Sequence, residues 1–209
     1  MARAFAEIAF TDSVKAAQTR NGSRRAYQKF DMDPERGDRL TEREIEFIAL
    51  CDSFYMGTVS ETGWPYVQHR GGPKGFLKAL DDKTLAFADF RGNKQYISIG
   101  NLKVDNRVAL FIMDYPNQQR LKLWARARLV DRSEDPELIA KLQDTNYDAR
   151  VERAVVFTIE AFDWNCPQHI TPRFSPVEVE RLMAPVLEEN RALKAQLERT
   201  AGRPDGPTP

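Results

Sequence analysis

The sequence predicts a mainly β protein with flanking helices, of the α+β class, in which a six-stranded antiparallel barrel is followed by a long helix. Two observations carry this prediction. A helix-start pattern at residue 175 opens a terminal segment with helical apolar spacing. Before it, six short runs rich in β-branched and aromatic residues alternate with turn-forming residues, as is typical of antiparallel barrels: FYMGTVS, YVQHR, TLAFADF, RVALFIMD, LKLWARARLV and VERAVVFTIEAF.

Helices are predicted where the apolar period changes. A short helix is possible near 11–20, and a stronger one begins after Thr41, which forms a capping box with Glu44. Cys51 falls on the apolar face of that helix and is expected in the core. Short helices are also expected over 93–102 and 136–144.

The terminal helix has a serine cap, a proline at its first position and a glutamate three residues after the cap. Its apolar face either packs on its own barrel or pairs with the same helix of a partner in a dimer; the face contains Leu182, Val186, Leu193 and Leu197. The expected organisation is an N-terminal helical extension, a barrel, the C-terminal helix and a disordered tail, over residues 1–40, 41–174, 175–200 and 201–209.

Composition limits the classes of function. With 42% hydrophobic and 30% charged residues, and without an apolar run of about 20 residues, the chain is expected to be globular and cytoplasmic and not to cross a membrane. Its formal charge of zero argues against general nucleic-acid binding. Residues 68–128 nevertheless contain 12 Lys and Arg against 5 Asp, so an anion site is expected there. Cys51 and Cys166 are expected to be free thiols.

The stretch YVQHRGGPKGFLK is the first candidate for that anion site. Its glycines, at 71, 72 and 75, allow a close approach of backbone to a ligand or a positive φ. Arg70 and Lys74 supply charge suited to a phosphate. The alternative is a glycine-rich hairpin that carries solvated cations.

A second candidate follows the strand TLAFADF, where residues 91–95 form a glycine-containing turn before a helical segment. A strand, a turn and a helix N-terminus in this order direct free backbone N–H groups at an anion, and Arg91, Asn93, Lys94 and Ser98 can add side-chain donors. The run RLKLWARAR over 120–128 places its basic residues on one face of a strand. For Arg126 and Arg128 a solvent-facing role is an equal alternative.

These segments together resemble a known family, the FMN-binding split barrels related to pyridoxamine 5'-phosphate oxidase. The resemblance covers roughly residues 45–174 and depends on HRGGPKGFLKALDDKTLAFADFRGN, NLKVDNRVALFI and RLKLWARARLV. It implies a split barrel and a homodimer that holds one FMN in each of two clefts between the subunits.

Carried over by position, the resemblance implies the following cofactor contacts. Gln68, His69 and Arg70 would lie along the flavin and phosphate, and Asp89 and Phe90 beside the ring or ribityl chain. Around the phosphate it implies Asn93, Lys94, Gln95 and Ser98. Arg120 would contact the cofactor at a position where relatives often carry a glutamine. Trp164 and Arg173 would approach the cofactor from the second subunit.

The sequence also departs from the family. Relatives that oxidise pyridoxamine phosphate carry arginine-x-histidine just before the last arginine, whereas this chain has His169-Ile170-Thr171. Their apolar hexapeptide between arginine and lysine is replaced by the glycine loop. We therefore expect a substrate other than a vitamin B6 phosphate.

The segment from Trp164 to Arg173 has several interpretations. Cys166 and His169 are spaced like metal ligands, but a structural zinc site needs four ligands and the chain has two His and two Cys, so no metal is assigned. A Cys–His nucleophile pair lacks an orienting third group. A purely structural loop is also possible. The favoured interpretation is a loop that places Trp164 and His169 over the partner's flavin, with His169 as the candidate proton-transfer residue.

Three functional hypotheses result. The first is an FMN-dependent oxidoreductase of a small molecule or a nicotinamide cofactor. The second is a flavin-holding sensor or storage protein without turnover. The third is a binder of the deazaflavin F420 or of haem on the same barrel.

Overall fold

The structure is a computed structural model that describes residues 3–32, 35–164 and 166–201. Its strands form one antiparallel sheet in the order β2-β1-β5-β6-β7-β4-β3. The strands are β1 (Ser53–Val59), β2 (Pro65–Gly71), β3 (Lys78–Ala79), β4 (Thr84–Phe90), β5 (Arg107–Asp114), β6 (Gln119–Asp131) and β7 (Val151–Trp164). The predicted class, antiparallel pairing and long C-terminal helix are confirmed, but the described strands number seven rather than six.

The additional strand is β3, whose two residues pair with Ala86 and Leu85 of β4. A strand of two residues is too short to show an alternation of apolar and polar residues. The sequence therefore gives no periodic signal for it, and the pairing follows only from the turn that brings the chain back to β4.

The core lies inside the curl of the sheet. Phe54 of β1 contacts Phe87 of β4 with ring centroids 5.4 Å apart, and Phe87 stacks on Phe157 of β7 at 5.8 Å. β1 and β4 are not neighbours in the sheet, so these contacts require its two ends to bend toward each other. All three phenylalanines are at most 2% exposed.

Among the described residues, six α-helices and one 3₁₀-helix (Gln28–Asp31) precede the C-terminal helix. Phe5 of the first helix packs on Trp124 of β6 with ring centroids 4.9 Å apart, so the N-terminal segment covers the outer face of the sheet. The predicted helix near 11–20 and the Thr41–Glu44 capping box are present. The helices are α1 (Ala4–Ala9), α2 (Asp12–Arg20), α3 (Arg24–Tyr27), α4 (Glu42–Leu50), α5 (Ile97–Val104) and α6 (Pro136–Leu142).

The last helix, α7 (Pro176–Ala201), begins as predicted. Ser175 donates its N–H and hydroxyl to the Glu178 carboxylate, and its hydroxyl accepts the N–H of Glu178. The large apolar side chains of α7 are exposed, so α7 does not pack them on its own sheet. Residues 202–209 of the predicted tail lie outside the described residues.

The sequence also bears on the cysteines and on the membrane-spanning potential of the helices. Cys51 and Cys166 are both free, as expected. Within residues 3–32, 35–164 and 166–201, no helix has the length and apolar character needed to span a membrane.

Candidate functional site

A small pocket of about 50 Å³ lies between β2, the end of β4 and the start of α5. A space of this size is comparable with a few water molecules. The structure brings seven of the predicted cofactor residues to its walls: Gln68, Arg70, Asp89, Phe90, Asn93, Lys94 and Ser98. Residues from two separate motifs thus meet at one place.

Hydrogen bonds fix α5 against the sheet at this pocket. The buried Ser98 hydroxyl donates to Oε1 of Gln68 at 2.9 Å. One turn later, Asn101 donates its side-chain N–H to the hydroxyl of Thr58 on β1, also at 2.9 Å. Because both bonds come from one face of α5, they set the direction in which the helix N-terminus points.

Arg70 forms a buried ion pair at the pocket wall. Its Nη1 lies 2.9 Å from Oδ1 of Asp89, and the two side chains are 13% and 6% exposed. Burial raises the pKa of Asp89, against the lowering effect of the Arg70 and Arg153 charges. The register of β4 on β7 shifts directly after Asp89, and such a bulge redirects the side chains next to it.

The ion pair continues into a network that the sequence did not predict. Arg153, opposite Asp89 on β7, has its Nε 3.7 Å from Oδ2 of Asp89 and its Nη2 3.4 Å from Oε2 of Glu152. Oε1 of Glu152 accepts from Arg91 and from the Tyr96 hydroxyl, each at 3.1 Å. Burial raises the pKa of Glu152, but these donors outweigh it and the pKa lies below its usual range.

The charges around the pocket leave an excess of positive charge. Two carboxylates, Asp89 and Glu152, face four cations, so the formal balance is about two positive charges. The four cations are Arg70, Arg91, Lys94 and Arg153. A dianion such as a phosphate monoester matches this balance.

The turn before α5 has an unusual backbone. Lys94 and Tyr96 have φ values of 62° and 54°, a region that non-glycine residues rarely adopt and that is concentrated at functional sites. The Asn93 side chain accepts the N–H of Gln95 at 3.1 Å and holds the turn. The first helical bond runs from Gly100 N–H to Tyr96 O, which leaves the N–H groups of the first turn without a helical partner.

The side chains present fit an anionic group. The Nε of Arg70 is buried and, among the described residues, has no hydrogen-bond partner, and the same holds for the Nε of Arg153. A buried donor without a partner costs about 1–3 kcal/mol. A phosphate oxygen in the pocket would satisfy the need for an acceptor that Arg70 leaves open.

Four other predicted residues do not line this pocket. His69 projects from the opposite face of β2 to Arg70, against Tyr55, with ring centroids 5.5 Å apart. Lys74 and Arg173, which lie outside β2, line a separate cavity of about 420 Å³. Arg173 lies over the Tyr115 ring at 5.0 Å. Gln95 contributes its N–H to the turn, but its side chain does not line the 50 Å³ pocket.

The remaining predicted residues are also away from this pocket. Trp164 donates its indole N–H to Oε1 of Glu44 at 2.6 Å and packs on Phe47 of α4. Arg120 lies over the Phe111 ring at 5.1 Å, and its buried Nε has no partner among the described residues. His169 is exposed in a turn, with a φ of 65°.

The glycine loop has a structural explanation that differs from the predicted one. A Cβ on Gly72 would come within 2.7 Å of the Phe76 ring, and Phe76 is buried against Phe54. Gly75 has a φ of 74° and lies close to the backbone of Ala49. At these two positions, therefore, packing and backbone conformation require glycine, without any ligand.

Arg126 and Arg128 of β6 lie at the surface of the sheet. Arg126 and Arg128 form exposed ion pairs with Glu160 and Glu134, in agreement with a solvent-facing strand. Within the part of the chain that is described, no group of three or more His, Cys, Asp or Glu side chains is arranged to hold a metal ion.

The fold and the pocket define a class: an antiparallel-sheet protein with a phosphate-sized pocket at a helix N-terminus. The family model described as pyridoxamine 5'-phosphate oxidase matches residues 40–164 of the chain. That match covers more than half of the 209 residues. The chain belongs to the pyridoxamine 5'-phosphate oxidase family, and the suspected relationship is confirmed.

Solved structures give weaker likenesses. HupZ of Group A Streptococcus is 14% identical, with a TM-score of 0.49 over 65% of this chain and 99% of its own. An FMN-binding protein of Syntrophomonas wolfei is 17% identical, with a TM-score of 0.45 over 74% and 96%. A Clostridium acetobutylicum protein related to general stress protein 26 is 18% identical, with a TM-score of 0.43 over 66% and 94%. A comparison with curated proteins finds no match.

Proposed function

We propose that the chain binds FMN and acts as an oxidoreductase of a small molecule or a nicotinamide cofactor. The observation that carries this proposal is the meeting of Arg70, Asn93, Lys94 and Ser98 at one pocket at the start of α5. Membership of the pyridoxamine 5'-phosphate oxidase family supports a flavin as the molecule whose phosphate this pocket takes.

The phosphate would be held by three kinds of donor. The N–H groups of the first turn of α5 and the positive end of its dipole favour an anion. Lys94 and Asn93 stand on the rim of the pocket, and the unpartnered Nε of Arg70 lies in its wall. Asp89 serves to hold Arg70 in place, because their 2.9 Å ion pair restricts the guanidinium to one orientation.

The flavin ring would need a second copy of the chain. A pocket of about 50 Å³ is far below the roughly 300–1,000 Å³ of a typical cofactor site. We therefore propose a homodimer in which the partner closes each site. Trp164 and Arg173 are the residues proposed to approach from the second chain, and their positions away from the pocket in a single chain are compatible with that role. Arg120 is proposed only as a further cofactor contact.

Bound FMN supplies two-electron redox chemistry at its isoalloxazine ring. The chain's own contribution is placement, positive charge and exclusion of water. Arg70 keeps a fixed positive charge in a poorly hydrated position, where electrostatic effects are stronger than in water. Proton transfer by His169 remains a prediction. So does a substrate other than pyridoxamine phosphate, which follows from His169-Ile170-Thr171 in place of arginine-x-histidine.

Comparing FMN with riboflavin tests the phosphate pocket, because riboflavin lacks the phosphate. We expect the full-length protein to bind FMN at least about tenfold more tightly, the equivalent of one charge-assisted hydrogen bond. Lys94→Ala should reduce that ratio about tenfold or more. Titration followed by flavin fluorescence measures both affinities.

Lys103→Ala is the matched control, because Lys103 is also exposed but lies in the last turn of the same helix. It should leave the FMN-to-riboflavin ratio unchanged. Equal binding of the two flavins by the unmodified protein would contradict the phosphate pocket, and binding of neither would contradict the flavin assignment. Haem or F420 bound in preference to FMN would favour the alternative cofactors.

Turnover is tested separately. Under nitrogen, NADH or NADPH should bleach the visible absorbance of the FMN-loaded protein, and air should restore it. A panel of small oxidisable molecules extends the same measurement. A protein that holds FMN tightly but is bleached by none of them would be a flavin-holding protein rather than an oxidoreductase.

A further inference from the structure

Helix α7 leaves an apolar face without a partner in the single chain. Its 26 residues give a rod of about 39 Å. Eight large apolar side chains along it are each at least 43% exposed: Val177, Val179, Leu182, Met183, Val186, Leu187, Leu193 and Leu197. A helix with an apolar stripe of this length normally buries it against another element.

The spacing of that stripe identifies the kind of partner. From Val179 the stripe advances by alternating steps of four and three residues, which is the heptad repeat of a coiled coil. The positions are Val179, Met183, Val186, Asn190, Leu193 and Leu197. In coiled-coil notation Met183, Asn190 and Leu197 occupy a positions, and Val179, Val186 and Leu193 occupy d positions.

Two polar features specify a second copy and its direction. Asn190 interrupts the apolar seam at an a position, and a single asparagine there is typical of parallel two-stranded coiled coils, in which it faces its own copy. Glu189 and Lys194 occupy g and e positions five residues apart. In a parallel pair these opposite charges of the two chains meet on both sides of the seam.

We propose that α7 pairs with α7 of a second copy of this chain as a parallel two-stranded coiled coil. Pairing covers the seam from Val179 to Leu197 and places Asn190 opposite Asn190 and Glu189 beside Lys194 of the other chain. Pro185 falls at a c position, away from the seam, where its ring does not obstruct the partner.

Other occupants of the stripe fit less well. In an antiparallel pair, Asn190 would face apolar d residues, and a buried amide without a partner is costly. A membrane surface attracts helices with a basic polar face. α7 instead carries five glutamates against four basic residues.

Cysteine cross-linking in the full-length chain tests the proposal. Cys166, which is exposed, is replaced by serine, while Cys51 stays, because burial raises its pKa to about 12 and keeps the thiol unreactive. Val186→Cys and Leu193→Cys are introduced separately at d positions. Each should form an interchain disulfide under mild oxidation at low protein concentration.

Ala195→Cys provides the matched control, because Ala195 is also exposed but lies on the outer face of the helix. It should form the disulfide at least about tenfold more slowly, since pairing raises the effective concentration only of thiols that face each other. Equal rates at 193 and 195 would overturn the proposal. So would linkage at only one of 186 and 193, because an antiparallel pair can align at most one position with itself.

Exchanging the charges of Glu189 and Lys194 tests whether the two helices run parallel. In the Leu193→Cys background, Glu189→Lys or Lys194→Glu alone should slow disulfide formation roughly two- to fivefold at low salt, because each creates like-charge contacts. The double exchange should restore the original rate. Failure of the double variant to recover would contradict the parallel alignment. None of these readouts depends on bound flavin.

Discussion

The predicted site residues on the two faces of strand β2 differ in burial. On one side Arg70 is 13% exposed and paired with Asp89 in the wall of the 50 Å³ pocket. On the other side His69 is exposed against Tyr55. Lys74 and Arg173, outside the strand, border a separate cavity. Adjacent residues of one motif therefore belong to different surfaces. Among the described residues, the first side holds a buried cation paired with a carboxylate, whereas the second exposes its histidine.

Burial explains why the loss of a buried charge and the loss of an exposed charge should affect stability differently. A buried ion pair that loses one partner leaves the other charge without compensation, whereas an exposed pair is largely replaced by water. The chain offers both kinds at the same separation. Arg70–Asp89 and Arg39–Asp82 are each 2.9 Å apart, but the second pair is 63% and 50% exposed.

The largest expected effect is that of Arg70→Ala. It leaves Asp89 buried, with Arg153 as the nearest remaining cation at 3.7 Å. We expect the free energy of unfolding to fall by about 3 kcal/mol or more, measured by urea denaturation. FMN affinity should fall at least about tenfold in the same variant.

Arg39→Ala is the control for burial. It should leave both the free energy of unfolding and the FMN affinity nearly unchanged, because water replaces an exposed pair. Similar losses for the two variants would show that the distance between the charges, rather than their burial, determines the contribution. The contrast between buried and exposed ion pairs would then fail.

The sequence predicted those parts of the site that depend on neighbouring residues along the chain. The strand, glycine turn and helix from Thr84 onward were recognised because each signal is local, although α5 begins only at Ile97. The alternation of β2 could have separated His69 from Arg70, since a period of two places them on opposite faces.

The remainder depends on strand order, which no local pattern reveals. Arg153 lies beside Asp89 only because β7 pairs with β4. Glu152 reaches Tyr96 for the same reason. The same holds for α7. Its heptad spacing is visible in the sequence, but the sequence does not show whether the sheet covers the apolar face of the helix. Strand pairing between distant segments therefore decides what a single sequence leaves open.

Gly72→Ala distinguishes two explanations of the glycine loop that follows β2: core packing, or a close approach of the backbone to a ligand. A Cβ at 2.7 Å from the Phe76 ring forces a shift in the core, and overpacking costs about 1–3 kcal/mol. We expect a loss of that size in the free energy of unfolding, with FMN affinity of the folded protein nearly unchanged. Urea denaturation and flavin titration of the same sample give both quantities.

Gly92→Ala is the counterpart at the pocket. Gly92 lines it, has no positive φ, and a Cβ there meets nothing within 4 Å. It should leave the free energy of unfolding nearly unchanged. If Gly72→Ala instead weakened FMN binding strongly at full stability, the glycine would serve ligand approach as first predicted.

The smallest expected effect concerns Glu44, which holds Trp164 and caps α4. Burial raises the pKa of Glu44, but hydrogen bonds from the Thr41 hydroxyl, the Trp164 indole and the Thr41 N–H outweigh it, and the pKa lies below its ordinary value of 4.5. The folded state therefore favours the carboxylate. This contribution is fully present above about pH 4.5 and is lost as the pH falls through the lower, folded-state pKa.

Glu44→Gln should lower the free energy of unfolding by about 1 kcal/mol at neutral pH, because one of the two accepting oxygens becomes an NH₂ group that cannot accept the bonds from Thr41 or Trp164. The difference from the unmodified protein should shrink as the pH falls below 4.5, measured by urea denaturation at several pH values. Trp164→Phe retains an aromatic ring but removes the N–H donor, so Glu44→Gln should cost less in that background. A difference that grows in acid would mean that burial, rather than these donors, controls the carboxyl. In that case the hydrogen bond from Trp164 to Glu44 would not be a charge-assisted contact within its own chain, whereas Arg70 is held by its ion pair with Asp89.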